Sequence, residues 1–481
     1  MRMKNRRFWT SLVAVSVMVS CCGCHRGQGK ETEETPKESA TASSTTEVTS
    51  VPTSDPSISV PTATLPPPTS VVDESEDTIV IYGYDKAFPQ LLDTYMPSLD
   101  YDYVYVKPDN YSNKLLDALN GDERVPDLFL MDKDHLQTWA LGGQTLDMEQ
   151  LGISSAELQN QFPYTYEAAS DASQSVYGLA YDLAPSCVFY NRPLAKSTLG
   201  TCEPSEVATL IADWSVILEN ARNVNMNTEG AVKLLGSDAE IQPIFWAMRQ
   251  DPWVVDGQVN VGSELKQYIQ IREAFFVENL THGNAWGSGE WEYNLNNDKT
   301  VMFFGSLNTA EDLIGYVPGH EEKAEPSTTE TGETTVVIPE ETGWNVLPAP
   351  SATYDGGTWL MVPTSTDKRA TAAQIIRTLT LDETVMTEMA VKGSFVNHIG
   401  IMEQCAQDPN FSSDFLNGQN PYAVLVPVAK EIKVSTDLET ERCVETEIQA
   451  LLDAYLNGDI KTYEELEVQF VVGLQELLGL V

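Results

Sequence analysis

The chain has 481 residues, with 71 acidic against 29 basic side chains and a formal net charge of −42. So acidic a chain excludes nucleic acid as a partner, because phosphate contacts need clustered Lys and Arg, and it favours neutral or cationic solutes over anions. The length is enough for two lobes with real cores, and seven cysteines are too sparse for a disulfide scaffold.

Residues 2–7 carry Arg2, Lys4, Arg6 and Arg7 with no acid, and an apolar run follows over 8–19. At about 1.5 Å per residue that run is too short to span a bilayer, but it has the form of a signal-peptide core. Met18-Val19-Ser20-Cys21 resembles a bacterial lipobox. That resemblance implies removal of residues 1–20 and a lipid on the Cys21 thiol. Cys22 and Cys24 are competing positions, and an ordinary secretory signal or an uncleaved anchor is the plainer alternative. Without the leader's four bases the charge is nearer −46. Cys22-Gly23-Cys24-His25 lacks a second ligand pair, so no metal site is expected there. Residues 21–76 then hold the anchor site and a Ser/Thr/Pro/Glu tether, too poor in apolar side chains to offset its ordering entropy. The only expected membrane contact is this lipid anchor.

Beyond the tether, 78–84 (TIVIYGY) reads as a buried strand. A helix is expected over 88–95, a strand over 101–106, and a helix over 112–120 with Leu115, Leu116 and Leu119 as its apolar stripe and Gly121 at its stop. A third strand, 125–131, ends at Asp132. This alternation predicts an α/β fold with a parallel sheet and helices on both of its faces. Ligands of such sheets sit beyond the carboxyl ends of the strands. Tyr84-Asp85 and Asp132-Lys133-Asp134 stand at those ends.

The stretch 177–196, YGLAYDLAPSCVFYNRPLAK, is an extended run interrupted by Asp182 and Pro185, the pattern of a segment leaving one unit and entering another. A mainly helical region follows to about residue 297, with its clearest helices at 206–219 and 264–277. Residues 300–305 form another buried strand, 320–341 a Thr/Glu-rich surface insertion, and 344–347 a further strand. Residues 356–362 are a second candidate crossing, and helices follow at 370–380, 383–391 and 446–456. Pairing of Cys187 with Cys202, or of Cys405 with Cys443, is open in an oxidising exterior; the default is buried thiols.

The leader, the tether and the stretches YGLAYDLAPSCVFYNRPLAK, KTVMFFGSLN, WNVLPAP, GGTWLMVP and IQALLDAYLNG, in this order, resemble the extracellular solute-binding lipoproteins of bacterial ABC importers. The nearest branch is family 1, the carbohydrate-binding group that includes maltose-binding protein. The resemblance covers about residues 77–475. It implies the two-lobe periplasmic-binding-protein fold (type II), each lobe a sheet flanked by helices. Crossings are implied near 181–185, 297–303 and 352–358. The N-terminal lobe would hold 77–183 plus 301–356, and the C-terminal lobe 184–300 plus 357–481. It also implies a monomer that captures a neutral mono- or oligosaccharide on the outer face of the cell membrane and delivers it to an ABC permease. A polyamine, peptide or metal chelate is the alternative solute, and a surface receptor without transport the alternative role.

Sugars present weakly apolar C–H faces to flat rings and hydroxyls to planar acceptors and donors. A sugar site therefore needs aromatics and carboxylates from both lobes. The candidates are Tyr84, Asp85, Asp132, Tyr181, Asp182, Trp246, Gln250, Trp253 and Trp359. Trp359 follows two glycines that permit close backbone approach. Many relatives keep a proline and a tryptophan that face a sugar where this chain has Ser306-Leu307, so the resemblance implies no stacking contact from that loop here, while Asn308 can still supply a polar one. Each candidate has a plainer reading: Trp246 and Trp253 as core, Asp132 as a helix cap, Asp182 as a loop cap. There is no G-x-S-x-G elbow, P-loop, H-E-x-x-H or EF-hand spacing, so neither an enzyme nor a cofactor is expected.

Overall fold

The computed structural model describes residues 71–121, 124–249, 251–319, 343–435 and 437–480. The expected leader, the lipidation positions Cys21, Cys22 and Cys24, nearly all of the tether, the insertion 320–341 and Gln250 lie outside the described residues.

Strands form where β-branched and apolar side chains run together. They are β1 (Ile79–Gly83), β2 (Tyr101–Tyr105), β3 (Leu128–Met131), β4 (Gly178–Pro185), β5 (Cys187–Asn191), β6 (Lys233–Leu235), β7 (Val254–Val255), β8 (Gln258–Val259), β9 (Thr300–Gly305), β10 (Trp344–Pro348) and β11 (Tyr354–Met361). One sheet has the order β2-β1-β3-β11-β4 and the other β10-β5-β9-β6, while β7 and β8 form a small hairpin. Every residue of β1 and β3 is buried, as expected of strands covered by helices on both faces. β1 runs parallel to β2 and β3, whereas β11 runs antiparallel to β3 and β4. The parallel sheet expected from the sequence is therefore mixed.

Two local readings shift. The helix Tyr111–Leu119 buries Tyr111, Leu115 and Ala118, a true i, i+4, i+7 face, and leaves Leu116 exposed. The expected single helix over 206–219 is two, Pro204–Leu210 and Trp214–Asn227. Asp213 accepts the amides of Ser215 and Val216 and so starts the second.

The division into lobes is corrected by strand pairing. β9 and β10 were expected in the N-terminal lobe, but both pair with β5 in the second sheet. β11 was expected to open the C-terminal lobe from residue 357, but it inserts between β3 and β4 of the first sheet. Adjacent strands cannot belong to different lobes, so the expected crossing at 297–303 is not one. The chain crosses between sheets at Ser186, again between β10 and β11, and a third time between the helices Tyr422–Glu431 and Leu438–Leu456. The first two crossings lie side by side, with the Ser186 amide donating to the Thr353 carbonyl at 2.8 Å.

β5 shows how the second sheet is held. Val188 and Tyr190 face a core with Trp214, Ile217, Tyr268, Ile448 and Phe470. Cys187 and Phe189, one residue out of phase, face the larger core that also packs the first sheet. Cys187, Cys202 and Cys405 are buried and Cys443 half-buried, and none of the four is in a disulfide.

Candidate functional site

The two crossing strands carry a carboxylate each, and one helix end meets both. β4 brings Asp182 and β11 brings Asp355 to the start of the helix Leu307–Ile314. Asn308 Nδ2 donates to Asp182 Oδ2 at 3.0 Å, and Thr309 Oγ1 donates to Asp355 Oδ2 at 2.7 Å. That helix follows β9 of the second sheet, so both bonds tie its first turn to strands of the first sheet. Ser306 starts the helix by accepting the Thr309 amide, and Leu307 is buried. A cap and a core side chain thus occupy the two positions where the family resemblance implied proline and tryptophan.

Around this pair the strand ends of the first sheet supply further acids and rings. Asp85, just past β1, accepts the Ala87 amide at 2.7 Å and the Tyr181 hydroxyl at 3.4 Å. The Tyr103 hydroxyl donates to the Asp85 carbonyl at 2.5 Å. Tyr181 is buried against Phe88, ring centroids 5.5 Å apart, while Tyr84 lies edge-on to Tyr111 and reaches Thr358 Oγ1 at 3.4 Å. Past β3, Lys133 Nζ bonds Asp134 at 2.7 Å. The second lobe adds Glu445, from the helix Leu438–Leu456, within electrostatic range of Lys133 and Asp134.

Burial shapes the charges. It pushes the Asp182 carboxyl up to about 7; the Asn308 bond opposes the rise, and repulsion from Asp85 and Glu311 adds to it. Burial also raises Asp355, against the pull of Thr309 and Lys133. Glu445 is raised mainly by burial too. For Lys133, burial works against the ammonium, but Asp134, Tyr354 and Asp355 outweigh it and hold it above the ordinary lysine range. Tyr164 is about 1% exposed, its ring lies 5.1 Å from that of Tyr354, and its hydroxyl has no hydrogen-bond partner. Burial raises that phenol well above its usual range, and Tyr354 and Asp182 add to the effect.

Of the sequence candidates, the structure brings together Tyr84, Asp85, Tyr181, Asp182 and Asn308. Asp132 stands beside them, but its carboxylate accepts the His135 amide at 3.0 Å and pairs with His135 Nδ1 at 2.8 Å, so it caps the turn into the next helix. Trp246 is half-buried in an aromatic cluster with Phe245, Trp253 and Tyr268. Trp253 is a correction. It is buried in the second core, its Nε1 donates to Glu441 at 3.2 Å, and the Arg249 guanidinium covers its ring at 3.9 Å. Trp359 is a second correction: it is fully buried and its Nε1 donates to the Thr165 carbonyl at 2.8 Å. Gly357 (φ +119°) leaves room for that indole, since a Cβ there would lie 3.0 Å from the Trp359 ring.

The sequence reading missed Tyr164, Thr309, Tyr354, Asp355 and Glu445 as site residues, and it noted Lys133 only as part of a strand end. Tyr354-Asp355 directly before the paired glycines was the available signal. Tyr164 and Glu445 lie inside helices and carried none. Among the described residues no three His, Cys, Asp or Glu side chains converge to hold a metal ion. No described helix is long and apolar enough to cross a membrane.

Residues 100–417 match the family model for bacterial extracellular solute-binding proteins. Among solved structures, an extracellular solute-binding protein of family 1 superposes with a TM-score of 0.64 at 16% identity, covering 83% of this chain and 99% of that one. The GacH receptor of Streptomyces glaucescens GLA.O, solved unliganded and with acarbose and an acarbose homolog, gives 0.61 at 14% identity, covering 84% and 98%. The sugar-binding protein MalE of Xanthomonas citri gives 0.61 at 14%, again covering 84% and 98%. Identities this low establish the shared two-lobe fold. No curated protein matches the sequence.

Proposed function

The chain belongs to the bacterial extracellular solute-binding proteins, and from that premise we propose that it captures a mono- or oligosaccharide between its lobes and delivers it to an ABC permease. It acts as a monomer and returns its solute chemically unchanged. A lipid on Cys21, or on Cys22 or Cys24, tethers it to the outer face of the membrane through the Ser/Thr/Pro/Glu segment. The observation that carries this reading is the polar junction where Asp182 and Asp355 on crossing strands of the first sheet face Asn308 and Thr309 on the helix that follows the second sheet's β9. Planar acceptors at the carboxyl ends of strands suit sugar hydroxyls. Structural relatives were solved with acarbose and with β-1,6-galactobiose, which supports the solute class.

A micromolar site needs about −8 kcal/mol. Charge-assisted hydrogen bonds contribute roughly 1.5–3 kcal/mol each. Four or five of them, with one half-buried ring such as Tyr84 or Tyr354, reach that figure after the losses of binding. With Trp253 and Trp359 in the core, the carboxylates carry more of this site than stacking does. Solute would favour the closed arrangement through contacts made to both lobes at once.

The test is a titration of the full chain, followed by tryptophan fluorescence, across sugars, oligopeptides, polyamines and metal chelates. Saturation by at least one saccharide is expected. Saturation by a peptide or chelate, with every sugar silent, refutes the saccharide reading. Metabolic labelling with a fatty acid, lost when Cys21, Cys22 and Cys24 are all replaced by Ser, tests the anchor.

A further inference from the structure

Resting on the saccharide reading above, we propose that the solute carries a cationic amine, seated on the floor of the cleft between Asp182 and Asp355 and within reach of the Tyr164 hydroxyl. Two independent observations point there.

The first is the balance of charge. Asp85, Asp134, Asp182, Asp355, Glu311 and Glu445 gather at this floor. Lys133 is the ammonium among them, and it is shared by Asp134, Asp355 and Glu445. Neutral hydroxyls would satisfy the lone pairs of these carboxylates but leave their mutual repulsion untouched. An ammonium supplies donors and the missing charge together. The acceptors have capacity to spare, since Asp182 takes the Asn308 amide while a carboxylate offers about four acceptor positions.

The second observation is Tyr164. Its hydroxyl is buried without a hydrogen-bond partner, yet it lies within electrostatic range of both Asp182 and Tyr354. A buried hydroxyl left unpaired is unfavourable, and such groups call for an explanation. Here the hydroxyl oxygen can accept one N–H of an ammonium whose other protons go to Asp182 and Asp355. A site kept ready for a ligand accounts for an unfavourable feature that folding alone does not need.

The experiment titrates the full chain at neutral pH with matched probes: glucosamine against glucose, galactosamine against galactose, and chitosan trisaccharide against cellotriose. In any pair that binds, the amino member is expected to be at least about tenfold tighter, and the gap to shrink as salt is raised. Asp182→Asn and Asp355→Asn should each erase the preference. Tyr164→Phe should weaken the amino sugar while leaving the melting temperature equal or higher, because it removes an unpaired polar atom. Neutral members binding as tightly as their amino partners would overturn this inference and leave the saccharide reading intact. So would a Tyr164→Phe variant that melts lower but binds as before. A response to spermidine with none to any sugar would overturn the saccharide reading and retain the cation site. Silence toward every probe would overturn both.

Discussion

Replacing Asp182 by Asn removes a charge from the floor while keeping its shape and an acceptor for Asn308. Burial, first, and then repulsion from Asp85 and Glu311 raise this carboxyl from 3.8 to about 7, against the stabilising bond from Asn308. Tyr164 and Tyr422 also lie in its field. The folded value lies above the unfolded one, so between about pH 4 and pH 7 the native state holds a proton that the unfolded chain has released. Stability from this group is therefore greatest at the acid end and falls as pH rises through that window. A shift of this size corresponds to about 4 kcal/mol at most. The carboxyl is half-buried, and screening reduces the expected loss to roughly 1–3 kcal/mol. Glu240 is likewise pushed to about 7 by burial, so the wild-type profile alone is ambiguous. The difference between wild type and Asp182→Asn isolates the residue. Urea denaturation from about pH 5 to about pH 8.5 should find the two nearly equal in acid and the variant more stable by roughly 1–3 kcal/mol in base. A difference that does not change with pH would refute the claim that Asp182 is desolvated and repelled.

Other variants separate core from cleft. Trp359→Phe leaves the Thr165 carbonyl unpaired, about 1–3 kcal/mol, and loses roughly 1 kcal/mol of burial, so chemical denaturation should show a loss of about 2–4 kcal/mol with solute affinity retained. Asn308→Ala strips Asp182 of its donor; calorimetry should show saccharide binding weakened by about tenfold, and the Asp182 titration should move to higher pH. Asp73 accepts the Ala370 and Thr371 amides at the start of the helix Arg369–Thr380, fastening the end of the tether to the first lobe. Asp73→Ala should lower stability by about 1–2 kcal/mol in thermal melts and leave solute affinity unchanged.

The α/β class was legible because the strands of each sheet are apolar runs set between helices of clear period, IVIYG and TVMFFG above all, while the two-lobe form followed from the family resemblance. Their partition between lobes was not, because a strand's partner depends on long-range pairing, and nothing local to β9, β10 or β11 says which sheet it joins. The crossing at Asp182 and Pro185 was readable from an acid and a proline inside an extended run. Trp359 was misread because its two preceding glycines suggested room for a solute, when Gly357 makes room for the indole itself. Tyr164 carried no sequence signal, since a tyrosine on a short helix is ordinary until its hydroxyl is found without a partner.

A crystal structure of the chain with the saccharide that binds tightest bears most directly on the central claim. The expected result is a solute lying between the two sheets, in hydrogen-bond contact with both Asp182 and Asp355 and touching residues of each lobe. A solute bound elsewhere, or one in the cleft with neither carboxylate in reach, would contradict it.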